Sequence, residues 1–366
     1  MTLKLKMTTF AAAGALVLGA MAATPASAAD SLTVVSWGGA YTKSQVEAYH
    51  KPFTKKTGIN ILSENYSCGL AEVKAQVEAG SVKWDVVDVE LSDAVRGCDE
   101  GLLERIDPSI LPPGADGTPA EKDFIDGSIF DCAVGSIVWS TIYAYDKTKF
   151  KGNEPKTMAD FFNTKQFPGK RGMRKTPKAN LEMALIADGV ANKDVYDMLA
   201  TDAGLDRAFA KLDTIKDQVV WWEAGAQPPQ LLADGEVAMT TAYNGRIFNA
   251  IAEESKPFEI VWDGQVFDLD LFVVVKGAPN KKAAMEFISF ATETKQLAEQ
   301  AKWISYGPVR KSSTPLIGKH ATAGIPMGPH MPTAPGNFKT ALQNDFEFWA
   351  DRQDELNNRF NAWLAN

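Results

Sequence analysis

Leu32-Thr33-Val34-Val35-Ser36-Trp37-Gly38-Gly39-Ala40-Tyr41 is a β-rich run that breaks on two glycines, and its reading decides the fold. A helix follows directly. Thr42 with Gln45 three residues on forms a capping box, and Val46, Tyr49 and Phe53 recur at helical spacing up to Gly58, a C′ glycine. Ile59-Asn60-Ile61-Leu62 restarts a strand, Leu70–Ala79 a helix, and Trp84-Asp85-Val86-Val87-Asp88-Val89 a third strand. Strand and helix alternating over short connections define βαβ units on a mostly parallel sheet, whose buried strands read as near-continuous apolar runs.

The same logic extends toward the C-terminus. Val134–Tyr145 is a long β-rich run, residues 158–212 carry helical patterns, and strands recur at 218–222, 237–242 and 269–275. Asn280–Phe290 reads as a capped amphipathic helix, and Phe338–Leu364 as two closing helices. No internal repeat or low-complexity tract interrupts the chain.

Toward the N-terminus, Lys4 and Lys6 precede an apolar stretch from Phe10 to Met21 and the small-x-small site Ala26-Ser27-Ala28. That order is a secretory signal cleaved after Ala28, too short in its apolar part to span a bilayer. Direct membrane insertion is not expected. Removing Lys4 and Lys6 takes the net charge from −8 to −10, which argues against nucleic acid as a partner. The 338 residues after position 28 of 366 exceed what one hydrophobic core usually supports, so two domains are expected. Of Cys68, Cys98 and Cys132, the loop-like flanks favour pairing Cys98 with Cys132, although spacing alone does not fix connectivity.

Enzyme signatures are missing. His50, His320 and His330 have no partner spacing, no nucleophile elbow or Gly-rich phosphate loop occurs, and the cysteines lack close zinc-type pairs. Plentiful Asp and Glu leave a carboxylate enzyme open in principle, with no pair singled out. Ligands of open α/β sheets sit outside the carboxyl ends of strands, and that rule selects positions. They are Trp37 and Tyr41 after the first strand, Cys68 after the second, Glu90 and Ser92 after the third, and Tyr243 with Arg246 after the strand at 237–242. Trp222, one of an adjacent tryptophan pair, and Tyr306 join them. Asp268 and Asp270 alternate on one strand and so share a face, where an unpaired carboxylate is costly unless it meets water or a cation. Taken singly, an aromatic such as Trp37 or Tyr243 reads more readily as boundary packing than as ligand wall, and Arg246 as a solvated surface charge or half of a weak ion pair.

Taken together, Ser36–Tyr41, Trp84–Val87, Gln230–Val237, Tyr243–Arg246 and Asn280–Ala284 resemble the periplasmic substrate-binding proteins of ABC importers, nearest the spermidine/putrescine-binding group. The resemblance covers essentially the whole chain after the signal. It implies a two-lobed α/β fold, each lobe a mostly parallel sheet flanked by helices, joined by a hinge. The implied lobes are 29–139 with 264–312, and 140–263 with 313–366. It further implies a monomer in the periplasm that hands a small amine to an inner-membrane permease, with no cofactor and no catalysis. Trp37, Tyr41, Tyr243 and Tyr306 match its aromatic box and Asp270 its amine-binding acid, with Glu182 near a further acidic position. Arg246 departs from the pattern, standing where polyamine binders carry an acid. A guanidinium there repels a second ammonium and suits a carboxylate, so an ω-amino acid such as γ-aminobutyrate is expected ahead of putrescine or spermidine.

Overall fold

The computed structural model describes residues 31–67 and 69–365, so the signal segment and Cys68 lie outside the described residues. Eleven strands form one sheet: β1 (Ser31–Ser36), β2 (Asn60–Asn65), β3 (Val86–Glu90), β4 (Ile129–Phe130), β5 (Ala133–Asp146), β6 (Arg171–Arg174), β7 (Val219–Trp222), β8 (Met239–Tyr243), β9 (Phe258–Val274), β10 (Gly307–Pro308) and β11 (Leu342–Gln343). Their main order is β2-β1-β3-β9-β5-β8-β6-β7. At one end β2, β1 and β3 run parallel, and at the other β7, β6 and β8 do the same. Both trios place their second strand outermost and their first in the middle. Between them β9 and β5 pair antiparallel over most of their length.

The two largest of five apolar clusters among the described residues hang on this sheet, one to each lobe. One gathers Val34, Val87, Val134, Leu271 and Phe287; the other gathers Tyr143, Met173, Leu185, Val266 and Trp349. Strands β5 and β9 contribute to both. Their ladder slips register between Gly135 and Ile137 and again between Thr141 and Tyr143, which marks bulges where the lobes meet. Cys98 and Cys132 are joined by a disulfide in the first lobe. No helix among the described residues is long and apolar enough to cross a membrane.

Several elements differ from the sequence reading. The first helix spans Gly39–Gln45, so Thr42 lies inside it rather than at its cap; its Oγ1 accepts from the Gly38 N–H at 2.8 Å and donates to Asn65. The strand at 269–275 is the end of the seventeen-residue β9. Strand β6 sits inside the stretch read as helical, because Arg-Gly-Met-Arg has neither a β-branched run nor apolar alternation. The close of the chain is one helix, Phe346–Ala365.

Candidate ligand site between the lobes

Each lobe presents strand ends at the junction. After β1 the chain turns at Gly38 and Gly39, with φ of 71° and 58°, a backbone region costly for residues with a Cβ. Gly39 also yields space, since a Cβ there would meet Nη1 of Arg246 at 2.7 Å. On the other side of that guanidinium a Cβ on Gly225 would meet Nε at 2.8 Å. The two glycines make a slot for Arg246, which is only 4 % exposed.

From that slot Arg246, on the helix Asn244–Glu254 after β8, reaches the opposite lobe. Its Nη1 donates to the Gly38 carbonyl and its Nη2 to the Trp37 carbonyl, each at 2.9 Å. The fork that the sequence reading left free for a carboxylate is thus engaged on main chain, and Nε is the nitrogen without a partner among the described residues. Nε1 of Trp37 is likewise buried and unpartnered.

Arg246 and Asp270 line one small cavity together with Trp37, Tyr41, Trp139, Tyr243, Tyr306 and Glu90. The five rings form its walls. Tyr41 meets Tyr306 edge-on at 5.3 Å, and Trp139 meets Tyr243 edge-on at 5.0 Å. Asp270 accepts from the Trp139 indole N–H at 2.7 Å and is 4 % exposed. Burial, then the negative neighbours Asp88, Glu90 and Asp268, hold its carboxyl well above the usual range. The Tyr243 hydroxyl is pushed up to about 12, chiefly by burial. Trp139 was missed by sequence reasoning, although its place on the β-rich run at 134–145 was visible.

Asp268 shares the face of Asp270, as alternation requires, but lines an adjoining pocket with Trp222, Arg174, Lys178 and Trp139. One of its oxygens accepts from the Leu269 N–H, the other has no partner among the described residues, and burial raises its carboxyl to about 7 against the pull of Lys178. Trp222 is buried and packs edge-on against Tyr243 at 5.7 Å. Ser92 stands back from the cavity, its Oγ accepting from Lys178 at 2.6 Å. Glu182 is remote from it: its Oε1 accepts from Trp349 and Tyr196, stitching one helix to the C-terminal helix.

Glu90 occupies the seam. Lys178 donates to it at 2.8 Å and Arg174 at 3.3 Å, so two cations of the second lobe close on one acid of the first. Burial would raise this carboxyl, but Lys178 and Arg174 outweigh it and hold it at about 2. Arg174 ends the unread strand β6 and Lys178 follows it, which is why the strand-end rule did not reach them. A folded value below the ordinary glutamate value of 4.5 means the stabilisation is complete above that value and is lost as pH falls toward 2. Glu90→Gln is therefore expected to lower the melting temperature at neutral pH and to flatten its fall across that acid window. A mutant curve parallel to that of the native chain would contradict this, and calorimetric melting against pH reads it. Outside the seam lies a wider polar chamber of ≈ 350 Å³, which shares Trp37 and Glu90 with the lining of the aromatic cavity.

A cavity of rings and opposed charges between two lobes defines a solute-binding protein, and the chain belongs to the bacterial extracellular solute-binding protein family, whose model matches residues 48–333. It is 46% identical, over 94% of both chains, to the gamma-aminobutyric acid-binding protein of Pseudomonas aeruginosa. Among solved structures it is similar to the binding protein MotA of A. tumefaciens B6 in complex with glucopine, at 31% identity and a TM-score of 0.83 over 91% of this chain and 99% of that one. A GABA receptor is similar at 34% identity and a TM-score of 0.77, over 92% and 98%.

Proposed function

We infer that this protein is the periplasmic solute-binding component of an ABC importer, and that its cargo is an ω-amino acid, with γ-aminobutyrate the leading candidate. The observation that carries this reading is that Asp270 and Arg246 line one aromatic cavity without being bonded to each other. An alkyl-ammonium suits Asp270 and the ring faces, through a charge-assisted hydrogen bond and cation–π contact. The carboxylate end suits Nε of Arg246 and Nε1 of Trp37, two buried donors with no protein acceptor among the described residues. The similarity to a gamma-aminobutyric acid-binding protein supports the same cargo.

A diamine fits less well. Glu90 also borders the cavity, but Lys178 and Arg174 already neutralise it, so a second ammonium would face the Arg246 cation instead. The lobes are assigned as 29–139 with 264–312 and 140–263 with 313–366; Val266 still packs in the second core, so the crossing on β9 falls a few residues past position 263. The mature chain starts after Ala28, acts as a monomer, and passes its unchanged cargo to an inner-membrane permease.

Calorimetric titration against γ-aminobutyrate, putrescine and spermidine tests the reading. Micromolar or tighter binding of γ-aminobutyrate is expected, with the amines at least about 100-fold weaker because like charges meet. Tight putrescine binding without γ-aminobutyrate binding would overturn it. Recovery of chemically altered cargo would instead point to an enzyme.

A further inference from the structure

Beneath the cavity stands a second carboxylate that ligand contact does not account for. Asp88 is on β3 and fully buried. Its Oδ2 accepts from Nε2 of Gln45, while its Oδ1 has no partner at full hydrogen-bond geometry among the described residues; the Tyr41 and Ser36 hydroxyls stand near enough to favour its charged form, yet burial outweighs them. In the β3–β9 ladder Glu90 is opposite Asp270 and Asp88 is opposite Phe272, so Asp88 and Asp270 are diagonal neighbours on one face. The Tyr41 hydroxyl lies beside both acids.

No cation answers this pair among the described residues. Lys178 and Arg174 are held by Glu90, and two nitrogens of Arg246 by the Trp37 and Gly38 carbonyls. The other titratable neighbours are phenols and acids. Tyr49 faces Asp88 from the π-helical segment Val46–His50 that continues the first helix, and Tyr66 donates to the Asp88 carbonyl from the loop after β2. Glu90 and Asp268 add negative charge from the flanking strand positions, and Tyr306 stands across the cavity. Two adjacent buried carboxylates without a cation are not both ionised; retaining a proton is the cheaper solution.

We propose that Asp88 and Asp270 share a proton beneath the aromatic cavity, and that an alkyl-ammonium head entering the cavity drives that proton into solvent. This rests on the reading of Asp270 as the ammonium site. One acid and one carboxylate become two carboxylates; the released proton goes to buffer, the ligand keeps its three ammonium protons, and no ligand bond forms or breaks. Burial raises both carboxyls, that of Asp88 to about 7 and that of Asp270 well above its usual value, so the pair still holds a proton at neutral pH. An arriving cation then favours the charged form. Asp88 is a positioning residue that acts through Asp270. Affinity is expected to rise with pH, by up to about tenfold per pH unit while a whole proton is displaced.

Titrating the full protein with γ-aminobutyrate at neutral pH, in buffers of differing ionisation heat, counts the protons released. The native chain should release between about half and one proton, and Asp88→Asn, which still offers Gln45 an acceptor but leaves Asp270 raised only by burial and its other acidic neighbours, clearly less. Release of none by the native chain, or equal release by the variant, overturns the proposal. A second arm needs no ligand: carbon-detected NMR of the assigned Asp88 and Asp270 carboxyls should show the pair titrating near neutral pH, and the Asp270 titration should move down in Asp88→Asn. If no carboxyl titrates there, the shared proton is refuted whatever the cargo. If it does titrate and no ω-amino acid binds, the pair stands and the cargo assignment falls.

Discussion

Asp270→Asn will weaken γ-aminobutyrate binding by roughly 30- to 1000-fold, the loss expected when a buried hydrogen-bonded charge pair loses one charge. The folded protein should not suffer with it. Asparagine still accepts from the Trp139 indole, and it removes a carboxylate that burial and three acidic neighbours already disfavour. The expected signature is lost affinity with a melting temperature unchanged or raised. Calorimetric titration beside thermal melting separates this from a packing role, in which both quantities would fall together.

The second large effect belongs to Arg246. In Arg246→Gln the shorter amide cannot span both the Trp37 and Gly38 carbonyls, and the positive charge is gone. γ-Aminobutyrate should bind about 100-fold more weakly, because its carboxylate loses a charge-assisted donor. Putrescine should improve, by about tenfold, since its second ammonium no longer meets a like charge. The opposite movement of two ligands is the test, read in parallel titrations. If putrescine does not gain while γ-aminobutyrate loses, the guanidinium serves only to bridge the lobes.

The fold was legible where burial writes on the sequence. The apolar strands Leu32–Val35 and Val86–Val89, Gly58 at a helix end and the helix after Asn280 all carry patterns that periodicity exposes, and each appears in the structure. Strand β6 did not, because a short run with an arginine at each end has no such pattern; Arg171 is paid off by the carbonyls of Phe161, Phe167 and Gly169. Missing β6 hid Arg174 and Lys178 and so left Glu90 without its partners. The strand-end rule placed Trp37, Tyr41, Tyr243, Arg246, Asp270 and Tyr306 around one cavity. It could not foresee that Arg246 spends two donors on backbone carbonyls, since which acceptors face a side chain is a property of the assembled lobes. Asp88 escaped for a related reason: inside an apolar strand, one aspartate looks like punctuation until a neighbouring strand sets a second beside it.

The through-running strands β5 and β9 bear on how such proteins can be recombined. Each begins in one core and ends in the other, so neither lobe is a continuous module. A chimera that borrowed one lobe from a relative would need splices within both ribbons, and cutting the chain at a single point would leave each fragment with raw, unpaired backbone prone to clumping. Engineering of new cargo preference in this scaffold is therefore better done by exchanging side chains around the rings than by trading lobes.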